Sequence, residues 1–99
     1  MNPELEDKLR RISIPQLDAL KIIANNPGGV STAQEIGDTT FTSSYTLGAI
    51  ISALTKIKID DKRLLLPAGR DLEGGMRWQL NEEVVDTHDL KVLLVKLGI

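Results

Sequence analysis

The stretch from Ser31 to Leu80 constrains the fold of this chain more than any other part of the sequence. It predicts a short capped helix, a turn, a second capped helix, and then two strands separated by a Gly-rich loop. The second helix is expected over residues 43–58, where the apolar residues keep helical spacing: Leu47, Ile50, Ile51, Leu54 and Ile57. The strands are expected at 64–66 and 76–80, where apolar and polar residues alternate in the second one.

Length and composition indicate one globular domain. The chain has 99 residues, of which 41% are apolar and 26% charged, and this is typical of a single hydrophobic core. It has no cysteine, so it has neither a disulfide framework nor a thiolate metal site. No apolar run approaches the roughly 20 residues that a membrane span needs, and the acidic N-terminus lacks the features of a signal peptide. We therefore expect a cytoplasmic protein with no membrane partner.

The sequence contains no recognisable catalytic constellation. Its single histidine, His88, has no second histidine or cysteine with which to form a metal site. The glycine pairs at 28–29 and 74–75 lack the lysine and hydroxyl residue of a phosphate-binding loop. We expect no enzymatic activity, no catalytic or metal-ligating residues, and no cofactor.

Further helices are expected on both sides of this central stretch. An N-terminal helix is expected over residues 2–12, with an apolar stripe that includes Leu5 and Leu9, and Ser13 with Gln16 has the spacing of a capping box. A last helix is expected over 86–97. It carries more apolar residues than one buried stripe uses, because Val92 and Val95 fall outside that stripe. We therefore predict a homodimer whose interface includes Leu5, Leu9, Val92 and Val95.

Three segments resemble the winged helix-turn-helix superfamily. Residues 31–36, with a Ser cap followed by Ala33 and Ile36, resemble the first helix of its helix-turn-helix. Thr46 and Leu47, followed by Ile51 and Leu54, resemble the recognition helix, and residues 74–80 resemble the return strand of the wing. The nearest type is the small regulators similar to the multiple-antibiotic-resistance regulators, which carry terminal dimerisation helices.

The resemblance covers residues 13–82 of the single domain 1–99. It implies a mainly α (α+β) fold, namely a winged helix-turn-helix with a two-stranded β wing and extra N- and C-terminal helices at 2–12 and 86–97. It also implies a DNA-binding transcriptional regulator, because this arrangement commonly presents one helix to the major groove.

Carried onto this chain, the resemblance places the DNA contacts on the recognition helix and the wing. The predicted contact residues are Ser43, Ser44, Tyr45, Thr46, Ser52, Lys56 and Arg70. Residues 42–63 carry four basic and two acidic side chains, a balance of +2 in a chain of net charge −2. Lys56, Lys58, Lys62 and Arg63 could therefore follow the DNA backbone, although basic residues also suit a solvated helix end.

A protein partner is the alternative. The outward positions of the recognition helix lack the Arg, Asn and Gln side chains that read base edges. They include instead a strip of small residues that would let another helix pack closely: Gly48, Ala49, Ser52 and Ala53. Trp78 falls on the inward phase of its strand, which favours packing over base stacking. The sequence thus leaves open a protein-interaction module that does not bind DNA.

Overall fold

The computed structural model describes residues 3–40, 44–72 and 75–98. Within these ranges, five α-helices, a three-stranded antiparallel sheet and a separate two-stranded antiparallel sheet form an α+β fold. The elements, in chain order, are α1 (Pro3–Arg10), α2 (Ile14–Asn25), β1 (Val30–Thr32), α3 (Ala33–Thr40), α4 (Ser44–Thr55), β2 (Lys58–Ile59), β3 (Lys62–Arg63), β4 (Leu65–Arg70), β5 (Met76–Leu80) and α5 (Thr87–Lys96). A 3-10 turn (Pro27–Gly29) joins α2 to β1. No helix in the described part of the chain is both long and apolar enough to cross a membrane.

Side-chain caps determine where several helices begin. The capping box predicted at Ser13 is confirmed: its hydroxyl accepts from the backbone N–H of Gln16, and the Gln16 side chain accepts from the N–H of Ser13. The cap predicted at Ser31 is wrong. Thr32 accepts the N–H of Glu35 at 3.0 Å instead, because Ser31 is paired within β1 and buried.

The larger sheet has three strands in the order β1-β5-β4. The predicted pairing of 64–66 with 76–80 is confirmed from Leu65 onward, where Leu65 lies opposite Leu80 and Leu66 opposite Gln79. The third strand, β1, pairs antiparallel with β5 and places Ser31 opposite Trp78. The two-stranded ladder predicted from the sequence is therefore extended by a third strand, β1, which directly precedes α3.

The helix predicted over 43–58 ends earlier, at Thr55. Lys56 and Ile57 donate to carbonyls three residues back, which tightens the last turn. The chain then forms a short hairpin, β2–β3, whose two-residue turn is Asp60–Asp61. Both aspartates have positive φ values, 53° and 65°, as the favoured two-residue hairpin turn requires.

The core is formed mainly by leucine and isoleucine side chains, and α1 and α5 pack as part of it. Leu5 and Leu9 are 0% exposed, as are Leu90 and Leu93. Assigning Leu5 and Leu9 to a dimer interface is therefore wrong for this structure, because side chains buried within one copy are not available to a second. The stripe that suggested an interface instead fixes α1 to its own domain.

An ion-pair cluster links the two terminal helices across the surface of this core. Glu6 on α1 accepts from Lys96 on α5 at 2.9 Å and from Arg10 at 3.0 Å. The hydrogen bond from Lys96, followed by that from Arg10, lowers the pKa of the Glu6 carboxyl. The carboxylate form of Glu6 is thus favoured in the folded chain.

Candidate nucleic-acid interface

One side of α4 is buried and the other is exposed. Leu47, Ile50, Ile51 and Leu54 face the core, and none of them is more than 8% exposed. The opposite side carries the exposed residues Thr46, Gly48, Ala49, Ser52 and Lys56, and Ala53 is half-buried at its edge. The structure thus brings three predicted contact residues, Thr46, Ser52 and Lys56, to the exposed side of one helix and the turn that ends it.

The start of this helix is described only in part. Ser43 lies outside the described residues. Ser44 and Tyr45 are helical in their backbone, but their side chains also lie outside the described part of the structure. These three predicted contacts stay predictions, and the geometry below rests on the later turns of α4.

Arg70, the predicted wing contact, is the last residue of β4 and is exposed. It lies opposite Met76 in the β4–β5 ladder, beyond an irregularity in the register. The ladder is closed immediately after Arg70, because Asp71 donates its N–H to the Gly75 carbonyl and accepts the Gly75 N–H on its side chain, each at 2.8 Å. Arg70 is therefore held at the outer end of the ladder.

A groove of about 470 Å³ separates α4 from β5. Gly48, Ser52 and Thr55 line it on the helix side, while Met76 and Trp78 line it on the strand side. Ala33 and Ile51 complete the lining, which contains no charged residue. An ideal Cβ built at Gly48 would have no atom within 4 Å, so the space beside this position is open. Two residues of the small-residue strip, Gly48 and Ser52, thus form part of one wall of an apolar groove, whereas Ala49 and Ala53 do not line it.

A second groove of about 470 Å³ lies between α3 and the end of the ladder and is acidic in character. Its lining includes Glu35, Asp38 and Asp71 together with Leu72, which is fully exposed. Three carboxylates repel a phosphate chain, so the inside of this groove is electrostatically unsuited to hold a nucleic-acid backbone.

The exposed side of α5 carries the two remaining interface residues. Val92 is 45% exposed and Val95 73%, and Val95 also lines a groove of about 220 Å³ with Lys21 and Lys91. These valines lie at the surface, as an interface requires. Among the residues that the structure describes, no group of three or more His, Cys, Asp or Glu side chains could hold a metal ion.

Sequence reasoning missed two features of this surface. It treated Met76 and Trp78 as packing residues of a strand, and their role as a groove wall depends on where α4 lies. It also missed the side-chain cluster at the start of α3, where the Glu35 carboxylate accepts from Asn26 at 2.8 Å and from Ser31 at 3.2 Å. No local pattern signals that cluster, because the 3-10 turn and β1 separate Asn26 from Glu35.

Comparison with models of known protein families gives no match, and comparison with curated protein sequences gives none at a significant level. Function is therefore inferred from the fold and the surface of this chain.

Proposed function

We propose that this chain is a winged helix-turn-helix domain that binds DNA as a transcriptional regulator. The observation that carries the proposal is the order of the elements: α3 and α4 are followed by the β4–β5 ladder, and β1 pairs with β5 ahead of α3. A helix-turn-helix of this kind presents its second helix to the major groove, and α4 is that helix here. We propose a cytoplasmic location for it.

The proposed binding mode depends on phosphates more than on bases. The exposed side of α4 offers the hydroxyls of Thr46 and Ser52 and the ammonium of Lys56, and Arg70 lies at the outer end of the ladder. Hydroxyl and ammonium groups position a protein on the DNA backbone, whereas Arg, Asn and Gln supply bidentate base contacts. The described exposed positions of α4 hold none of these three residue types. We therefore expect weak sequence preference and a strong dependence on salt.

A homodimer is proposed as the working form. Val92 and Val95 are the only large apolar side chains exposed on the described part of α5, and pairing them across a two-fold axis would remove both from water. Two linked copies would also multiply the weak binding of one recognition helix.

The test is a titration of random-sequence duplex DNA followed by fluorescence anisotropy, at about 50 mM and 200 mM salt. We expect binding at low salt that weakens steeply, since each neutralised phosphate adds about 0.9 to the slope of log K against log salt. Replacing Lys56→Glu and Arg70→Glu together should abolish binding. The matched control is Lys21→Glu with Lys91→Glu, which makes the same charge change on the α2–α5 surface. Because both lysines line a groove with Val95, sedimentation equilibrium checks that the control keeps the oligomeric state of the wild type. Absence of binding by the wild type at low salt would contradict the proposal.

The second candidate function is docking of a partner protein, and the apolar groove is the observation that favours it. Gly48 and Ser52 would allow the backbone of a partner helix to approach α4 closely, and Met76 and Trp78 offer apolar contact opposite them. Such an interface would respond little to salt. A wild-type protein that binds no DNA at low salt would therefore favour this function.

A further inference from the structure

The β2–β3 hairpin places two cationic side chains directly opposite each other. Lys58 is paired with Arg63 in its register, and residues directly opposite in an antiparallel pair project from the same face with Cβ atoms about 4.5–5.5 Å apart. Like charges in this arrangement destabilise a hairpin. Both side chains are exposed, as is that of the neighbouring Lys62.

No carboxylate of the described residues forms an ion pair with Lys58 or Arg63, and the hairpin keeps a net charge of +1 because Asp60 and Asp61 in its turn offset only two of its three cations. The cations of the ion pairs among the described residues are Lys8, Arg10, Arg11 and Lys96. Lys58, Lys62 and Arg63 take part in none of them through their side chains, and no other side-chain interaction is assigned to them. Their positive charge is therefore available to an external anion.

The backbone that carries the pair is held from two sides. The Lys8 ammonium on α1 donates a hydrogen bond to the carbonyl of Lys58, and the buried Asn81 side chain donates to the carbonyl of Arg63 at 2.9 Å. At the base of the hairpin, Leu64 donates to the carbonyl of Ile57 at 3.0 Å. Because these bonds already order the backbone, less conformational entropy is lost when an anion binds.

The proposed docking of α4 would also bring the hairpin close to the DNA backbone. α4 has 12 residues, hence a length of about 18 Å, while the major groove is about 12 Å wide. If the first turns of α4 enter the groove, its C-terminal end and the hairpin that follows lie over the rim, where the phosphates run. The groove between α3 and the ladder end is unsuited to this contact, because Glu35, Asp38 and Asp71 line it.

We propose that the β2–β3 hairpin is a phosphate-binding site in which Lys58 and Arg63 contact the DNA backbone at the rim of the groove occupied by α4. This inference rests on the proposed DNA-binding function and adds to it a contact outside the recognition helix and the wing. The phosphate chain would also relieve the repulsion between the two cations.

The experiment compares the wild type with the double variant Lys58→Gln/Arg63→Gln in titrations of random-sequence duplex over a range of salt concentrations. Loss of two phosphate contacts should reduce the slope of log K against log salt by about 1.8. If the two proteins bind equally at 1 M salt, this change in slope weakens binding by the variant about 60-fold at 0.1 M salt. The control variant Lys21→Gln/Lys91→Gln removes the same charge from the α2–α5 surface and should leave the slope unchanged. Because both lysines line a groove with Val95, sedimentation equilibrium checks that this variant keeps the oligomeric state of the wild type. Thermal unfolding of each variant checks its fold, and the Lys58→Gln/Arg63→Gln midpoint should not fall, because a like-charge pair is removed.

The outcomes separate this inference from the function on which it rests. If the wild type binds and the hairpin variant keeps its affinity and slope, the hairpin site is refuted while DNA binding stands. Equal weakening by the hairpin variant and the control would also refute the site, since net charge alone would then explain the loss. A wild type that fails to bind at low salt would refute the proposed function and the hairpin site with it.

Discussion

Asn81 links the end of β5 to the β2–β3 hairpin, and its replacement by alanine should be among the costlier polar substitutions in this domain. The side chain is 7% exposed. Its amide N–H donates to the Arg63 carbonyl at 2.9 Å, and its amide oxygen accepts the N–H of Glu83 at 3.1 Å. Asn81→Ala therefore removes two hydrogen bonds and leaves two backbone groups without their partner.

The cost follows from these two bonds. A typical intramolecular hydrogen bond contributes about 1 kcal/mol net, and leaving a buried partner unsatisfied costs about 1–3 kcal/mol. Because water can reach part of this site once the side chain is shortened, we expect the lower part of that range and a total of about 2 kcal/mol. For a domain of this size, that loss lowers the thermal midpoint by about 10 °C.

The assay is urea unfolding followed by far-UV circular dichroism, with the slope m compared between variants to check that only stability has changed. Asn25→Ala is the matched control, because Asn25 is exposed and its amide makes a single bond, to the Lys21 carbonyl at 2.8 Å. The control should change the free energy of unfolding by less than about 0.5 kcal/mol. If Asn81→Ala costs no more than Asn25→Ala, then the two Asn81 bonds do not hold the hairpin in place.

Three other predictions concern the helices. Gly48→Ala should raise the free energy of unfolding by up to about 1 kcal/mol, because alanine favours the helix and its Cβ would meet no atom within 4 Å; a loss of stability would show that α4 differs from this structure. The stabilisation from Glu6 should be present near neutral pH and lost as the pH falls below 4.5 through the lowered pKa of its carboxyl. The difference in unfolding free energy between the wild type and Glu6→Gln should therefore shrink in acid, and a difference independent of pH would contradict the ion-pair cluster. Replacing Val92→Asp and Val95→Asp together should dissociate the proposed homodimer in sedimentation equilibrium without lowering the unfolding midpoint of the monomer, whereas a wild type that is monomeric at high micromolar concentration would remove the case for a dimer.

Local signals in the sequence were sufficient for most of the elements. Ser13 and Gln16 specify a helix start through bonds between neighbours in the chain, and the alternation from Met76 to Leu80 specifies a strand through the two-residue period of the backbone. Both signals act within a few residues, so they do not depend on the rest of the fold. The exposure of Val92 and Val95 was also predictable from local sequence, because the 3.6-residue period of a helix places both outside the buried stripe of α5.

Contacts between distant residues decided the rest. Whether the stripe of Leu5 and Leu9 covers its own core or a second copy depends on how α1 packs, and that packing is invisible in the local pattern. The end of α4 at Thr55 likewise depends on residues outside the helix. The Ile57 carbonyl accepts the N–H of Leu64, and the Asn81 side chain donates to the Arg63 carbonyl in the hairpin that replaces the last helical turn. Sequence alone therefore determined most of the helices and the strands β4 and β5, but not the end of α4 or the β2–β3 hairpin. Tertiary structure determined which apolar faces are covered and where Lys58 and Arg63 are presented, because burial and long-range hydrogen bonds depend on the whole chain.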